Sequence, residues 1–132
     1  MRITLIIILL FISIRLMAPE VKTLVIVKAK NINPYTRILK ACIEVESNGN
    51  VFAYNPRENA VGILQIRPIK LEQYFIETGV RYSLKDCFNP AISKRIFLHF
   101  ACQFRADDYK AISKDWNKSK TDVYWNKVKS KL

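Results

Sequence analysis

Two glutamates stand close together near residue 45, and only one of them is placed for chemistry. The apolar residues Tyr35, Ile38, Leu39, Cys42 and Ile43 recur at the three-and-four spacing of a helix laid against a core. Glu46 continues that stripe, rotated by roughly 40° from Cys42 at about 100° per residue. Glu44 lies about 200° from Cys42 and shares an outer, charged face with Arg37 and Lys40. A carboxyl turned inward at a helix C-terminus loses hydration and meets the negative end of the helix dipole, and both effects disfavour its ionised form. Its pKa then rises from about 4.3 toward roughly 6, which suits a general acid in glycosidic bond cleavage. The plain alternative is a glutamate that snorkels at a helix end.

The elements that must position this carboxyl follow from caps and periods. Asn33-Pro34 opens a helix expected to run to about Ser47, and Asn48-Gly49-Asn50 stops it, with Gly49 suited to the left-handed cap. Residues 51–66 lack a helical period; Asn55-Pro56 marks a turn, and the apolar run Val61 to Ile66 is interrupted by Gly62 and Gln65. Pro68 starts a second helix through Leu71, Tyr74 and Phe75 that ends at Gly79, and Ser83 with Asp86 predicts a short capped turn. Asn89-Pro90 launches a long helix with Ile92, Ile96, Phe97, Phe100 and Phe104 for one face. A further helix follows Asp107-Asp108 to Trp116, and a last one follows Thr121 with Tyr124, Trp125 and Val128 inward. The expected fold class is mainly α (α+β): a small helical domain with an irregular, short-strand segment beside an active-site cleft. No internal repeat, nucleotide-binding glycine loop or Ser/His/Asp order is visible.

The chain of 132 residues is long enough for one domain and too short for two, and 7 Phe, 6 Tyr and 2 Trp supply a core. Its first eighteen residues read as a secretory signal: Met1-Arg2, an apolar run from Ile3 to Ile14, then Arg15 to Ala18. That run is shorter than the roughly 20 residues a membrane span needs. Ala18 is a suitable small residue for cleavage but Leu16 is not, so an uncleaved N-terminal anchor stays open, as does a buried N-terminal strand or helix. The expected organisation is a signal over 1–18, a linker over 19–33 and the folded domain over 34–132.

The net charge is +11, and removing the signal takes away two arginines and no acid. Such an excess favours polyanionic partners: nucleic acid, anionic membrane or an acidic cell-wall polymer. With an export signal and no helix-turn-helix, zinc-finger or RNA-binding aromatic signature, the cell envelope is preferred and no nucleic-acid partner is expected. Cys42, Cys87 and Cys102 are odd in number and imply no disulfide framework, although two of them could be bridged in an oxidising compartment; all three read as small core hydrophobes. Their spacing, with a sole histidine at His99, gives no structural zinc site, so no metal and no organic cofactor are expected.

The wording around Glu46 adds to this. Glu46-Ser47 is followed, about fifteen residues on, by Gly62-Ile63-Leu64-Gln65 and then Ile66-Arg67-Pro68. Asp86-Cys87-Phe88-Asn89-Pro90 precedes the long helix, and Ala111 to Asn117 ends in Trp116-Asn117. In that order, over roughly residues 34 to 128, the chain resembles the lytic transglycosylases of the lysozyme superfamily, related to goose-type lysozyme. Family members carry a helix ending in Glu-Ser, a Gly-Leu-Met-Gln type motif, a Phe-Asp-Pro-like helix start and an aromatic-Asn-Gly. The departures are Trp116, where the family often has a Tyr whose hydroxyl touches the catalytic Glu, and Lys118-Ser119, where glycine is usual.

The resemblance implies peptidoglycan glycan strands as substrate and cleavage between N-acetylmuramic acid and N-acetylglucosamine, with Glu46 first as acid and then as base, so that the muramyl 6-hydroxyl closes an anhydro ring. Ser47 would orient the Glu46 carboxyl, and Gln65 would present its amide to an N-acetyl group or the transition state. Tyr54, Trp116 and Asn117 are candidate sugar contacts, since aromatic faces pack on pyranose rings and amides bind hydroxyls. Two alternatives stay open: a muramidase that uses water, for which Glu58 and Glu72 are nearby second carboxyls, and a non-catalytic basic cell-wall binder. An exported monomer is expected, periplasmic or extracellular, with transient membrane association through its N-terminus, or anchored there if the signal is kept.

Overall fold

The computed structural model describes residues 32–132. The expected signal over 1–18 and nearly all of the 19–33 linker lie outside the described residues. The described residues form five helices and a hairpin of two two-residue strands, in the order α1 (Thr36–Ser47), β1 (Tyr54–Asn55), β2 (Ala60–Val61), α2 (Pro68–Thr78), a 3₁₀ turn (Leu84–Phe88), α3 (Pro90–Ala101), α4 (Tyr109–Asn117) and α5 (Val123–Lys129). The expected mainly α fold with a short-strand segment is the one observed. Among the described residues, no helix is long and apolar enough to cross a membrane.

Helix α1 occupies the centre, packed against α3, α4 and α5. Its Ile38, Leu39, Ala41 and Cys42 are buried, meeting Ile96, Phe97 and Phe100 of α3, Ile112 and Trp116 of α4, and Tyr124 and Val128 of α5 in one core. Each large apolar side chain so enclosed contributes about 2 kcal/mol. On the outer face, the Arg37 Nε donates to the Leu132 carbonyl at 2.9 Å and Lys131 pairs with Glu44 at 2.7 Å. The charged stripe therefore fastens the C-terminal residues to the central helix.

Local signals act slightly differently from expectation at several ends. Asn33 does not cap α1 directly: its side chain accepts from Tyr35 N and its carbonyl from Thr36 N, so an Asx turn precedes the helix. At the other end Asn48, rather than Gly49, is the cap residue in the left-handed region, at φ 52°, with Gly49 following at φ 79°. Asn tolerates that region because its short side chain bonds locally. Asn89 caps α3 as read, accepting from Ala91 N, the helix expected after Asp107-Asp108 is capped by Asp108, accepting from Ala111 N, and Ser83 with Asp86 forms a reciprocal capping box. The helix starting at Pro68 ends at Gly79 in the left-handed conformation, also as read.

Cys102 corrects the reading of all three cysteines as core residues. Cys42 and Cys87 are buried, but Cys102 is the cap residue beyond the last turn of α3 and is exposed, because the apolar face of that helix is completed by Phe97, Phe100 and Ala101. None of the three is bridged. Ser93 replaces Ile92 as a fully buried position on α3, since its hydroxyl donates to the Cys87 carbonyl at 2.6 Å.

The irregular segment is pinned by backbone pairing. Tyr54 pairs with Val61 and Asn55 with Ala60 in antiparallel register, and Val61 pairs again with Ile66, so that 62–65 form a tight reversal. Gly62 permits it twice over. Its φ is 75°, and a Cβ there would lie 2.2 Å from the Cys87 carbonyl oxygen, which is backbone and cannot swing away. Gly62→Ala is expected to destabilise the protein by at least about 2–3 kcal/mol, seen as a lower urea midpoint at unchanged m-value; an unchanged midpoint would refute this account of the turn.

Candidate active site

Glu46 sits in the last turn of α1, half-buried, where the helix leaves the core. The Tyr124 hydroxyl, carried inward by α5, donates to its Oε1 at 2.8 Å. Burial raises the Glu46 pKa from the ordinary 4.5 to about 7, against the pull of the Tyr124 hydrogen bond, the Arg67 guanidinium and the Trp116 indole; the Glu58 carboxylate adds a smaller upward push. Cys42, one turn earlier on the same face, has its thiol pushed up to about 12, chiefly by burial, so it stays protonated beside the carboxyl. The Tyr124 hydroxyl likewise holds its proton, raised by burial and by the groups around it.

The carboxyl opens onto a narrow cavity lined by Glu46, Glu58, Gln65, Ile66, Arg67, Lys70, Trp116 and Asn117. It is partly open to solvent and, at about 20 Å³, has room for roughly one water. Four of the residues singled out from sequence, Glu46, Gln65, Trp116 and Asn117, come together here from three separate segments. Gln65 stands at φ 47° in the reversal after β2, and its amide nitrogen donates to the carbonyls of Gly62 (3.1 Å) and Ala53 (3.3 Å). Trp116 is buried, with its ring 4.9 Å from that of Phe97, and the Asn117 carbonyl accepts from Arg67 at 3.3 Å.

Ser47 and Tyr54 are placed otherwise. The Ser47 hydroxyl donates to the Ile63 carbonyl at 2.9 Å and so ties the end of α1 to the 62–65 reversal; the hydrogen bond expected toward the Glu46 carboxyl is supplied by Tyr124 instead. Residue 47 lies one step past Glu46, about 100° round the helix, which turns its side chain toward the loop. Tyr54 is 57% exposed on the hairpin, outside the lining of the cavity, with its hydroxyl 3.5 Å from Asn59 Oδ1.

Sequence reading also missed three contributors. Tyr124 lies in the core as its inward spacing predicts, and the need of a buried tyrosine hydroxyl for a partner is the signal that could have pointed to Glu46. Arg67 and Lys70, flanking Pro68, face the cavity because α2 begins at its edge. Of the second carboxyls considered, Glu58 lines the cavity, whereas Glu72 is exposed and pairs with Arg81 at 3.6 Å. Among the described residues, no three His, Cys, Asp or Glu side chains converge to hold a metal ion.

A family model described as Transglycosylase SLT domain matches residues 23–119. No curated protein and no solved structure matches the chain. Tyr124 lies beyond the matched residues.

The raised Glu46 pKa makes stability pH-dependent with a definite sign. Below the ordinary value of 4.5 both folded and unfolded chains hold the proton and nothing is lost; between 4.5 and about 7 the unfolded chain ionises first, so stability falls as pH rises. Glu46→Gln removes that slope and is expected to gain up to about 3 kcal/mol relative to wild type between pH 4 and pH 8. Denaturant titrations of both proteins at the two pH values check this, and parallel curves would contradict the buried-acid assignment.

Proposed function

The chain belongs to the transglycosylase SLT family, whose members cleave peptidoglycan, and on that premise we propose that it is a lytic transglycosylase with Glu46 as its single acid and base. The observation that carries this reading is the half-buried Glu46 carboxyl, protonated up to about pH 7 and held by Tyr124 at the base of a cleft. In that state it donates its proton to the oxygen leaving the muramyl C1. The resulting carboxylate is stabilised by the Tyr124 hydroxyl and by Arg67, and it then takes the proton of the muramyl 6-hydroxyl as that oxygen closes on C1. Proton and bond count balance with no water consumed, and one carboxyl serves both half-steps.

Gln65, Trp116 and Asn117 are proposed as the groups that orient the sugar across the cleft mouth. Both N–H groups of the Gln65 amide are occupied by loop carbonyls, which leaves its amide oxygen as the acceptor for an N-acetyl N–H. Ser47 acts by holding the 62–65 reversal to α1, and Tyr54 is a candidate contact for a more distant sugar on the open hairpin. The substrate lies outside the cytoplasmic membrane, so the proposed site of action is periplasmic or extracellular, with the N-terminal segment as export signal or anchor.

One observation favours a second reading. Glu58 lines the same cavity, and a second carboxylate is what a hydrolase needs to activate water or capture the sugar. Mass spectrometry of digested sacculi separates the two, because the anhydro product is lighter by one water. Wild type is expected to release anhydro-muropeptides, Glu46→Gln to lose at least about a hundredfold in rate, and Glu44→Gln, altering an exposed partner of Lys131, to keep most activity. Hydrated products that vanish in Glu58→Gln would move the assignment to the hydrolase.

Tyr124→Phe removes a donor that favours ionised Glu46, so the alkaline limb of the pH–rate profile is expected to move above pH 7 while the maximal rate drops about tenfold. A limb that stays put or moves down would remove Tyr124 from the proposed mechanism.

A further inference from the structure

The excess of positive charge is unevenly placed along the described residues. Over residues 32–109 ten lysines and arginines stand against eight acids, whereas residues 110–132 carry seven lysines against two aspartates. Ion pairing leaves most of that second excess in place. Lys110 and Lys114 share the single Asp122, each at 3.0 Å, Lys118 pairs with Asp115, and Lys131 reaches Glu44 of α1 at 2.7 Å. The remaining three, Lys120, Lys127 and Lys129, are exposed and have no carboxylate within ion-pair distance among the described residues.

These lysines stand among apolar side chains that the core does not cover. Helix α5 buries Tyr124 and Val128 and leaves its outer side to solvent. Val123, 61% exposed, and Lys127 lie one turn apart on one flank; Trp125, half-buried, and Lys129 lie one turn apart on the other. Each flank therefore joins an apolar side chain to a lysine whose stem lies along it while the ammonium reaches outward. The surface is separate from the Glu46 cleft, because Tyr124 meets Glu46 from the inner side of α5 and none of the three unpaired lysines lines the cavity. The described chain also begins at this end of the fold. Arg37, in the first turn of α1, donates to the Leu132 carbonyl at 2.9 Å, which fastens the start of the described chain to the end of the lysine-rich segment. The residues before Ile32 include the apolar run from Ile3 to Ile14 and then Lys22, Lys28 and Lys30.

We propose that the outer side of α5, together with Lys120 before it, is a docking surface for a bilayer rich in anionic phospholipid, against which the folded domain rests with its cleft left free. The lysines supply attraction to headgroup phosphates, and Val123 and Trp125 enter the boundary between headgroups and acyl chains, where apolar and indole side chains are stable. A hydrated wall polymer offers the first of these interactions and not the second. The N-terminal end supports the same occupant, since an apolar run and further lysines precede the point at which the chain joins the fold beside this surface. Helix α5 has seven residues and acts as one face of a packed domain, not as an inserting segment. The inference goes beyond the transglycosylase reading and does not depend on it.

The test measures cosedimentation of the full-length protein with vesicles of phosphatidylcholine alone or with about a third phosphatidylglycerol. Each lysine at an anionic bilayer surface strengthens binding by about fivefold. The triple variant Lys120→Gln, Lys127→Gln, Lys129→Gln, its folding checked by thermal melting, is expected to bind the anionic vesicles at least about twentyfold more weakly than wild type. The variant Lys85→Gln, Lys94→Gln, Arg95→Gln removes the same charge from the exposed side of the 3₁₀ turn and α3 and is expected to stay within about threefold of wild type. The N-terminal residues are the same in every arm, so the difference reports the surface. Equal losses in the two variants, or none in the first, overturn the proposal. Phosphatidylglycerol brominated on its acyl chains should quench the tryptophan emission of wild type and leave that of Trp125→Phe unchanged, since Trp116 is buried; unquenched wild type also overturns it. So does loss of binding to purified sacculi in the first variant with vesicle binding intact, which assigns the surface to the wall polymer.

Discussion

A carboxyl taken partly out of water must either give up its charge or find donors, and Glu46 does some of each. Its burial lifts the pKa to about 7, while the Tyr124 hydroxyl at 2.8 Å and the nearby Arg67 keep the ionised form within reach. A more exposed carboxyl would ionise too easily to act as an acid near neutrality, and one buried without donors would be too reluctant to act as a base. Much of the remaining architecture holds this balance. Helix α1 presents the residue at its end, α5 brings the hydroxyl from 78 residues away, and α4 closes the side with Trp116.

The loop that faces the acid is fastened with equal economy. Ser47, adjacent to Glu46 in sequence, bonds the Ile63 carbonyl, so the helix end and the reversal that carries Gln65 are one mechanical unit. Gly62 lies against the Cys87 carbonyl, and that same carbonyl accepts from the buried Ser93 hydroxyl, which links the reversal to the start of α3. Positive φ at Gln65, outside glycine's usual privilege, is stabilised by hydrogen bonds from its own side chain to the loop.

Charge enters at two scales. The overall excess of base suits an envelope polymer that bears acidic groups, and it acts at long range and is screened by salt. Arg67 acts at contact distance, lining the Glu46 cavity and donating to the Asn117 carbonyl, where screening is weak. The first is a property of the whole surface, and the second depends on where one helix happens to begin.

Helix starts and stops, the inward turn of Glu46 against the outward turn of Glu44, and the short-strand segment were all legible in the chain, because each depends on residues within one or two turns of one another. The Glu-Ser helix end and the Gly-Ile-Leu-Gln reversal carried the family resemblance for the same local reason. Tyr124 as the partner of Glu46, Ser47 as a loop clip, the outward placement of Cys102 and the gathering of Lys70 and Arg67 at the cleft were not legible. Each of these is a meeting of surfaces brought together by packing α1 against α3, α4 and α5, and no pattern along the chain encodes which side chain arrives opposite which. Sequence alone determined the inward-facing Glu46 and the helix that carries it; the tertiary structure decided its hydrogen-bond donor, its neighbours' charges and the size of the space before it, because burial and distance exist only once the helices have closed on one another.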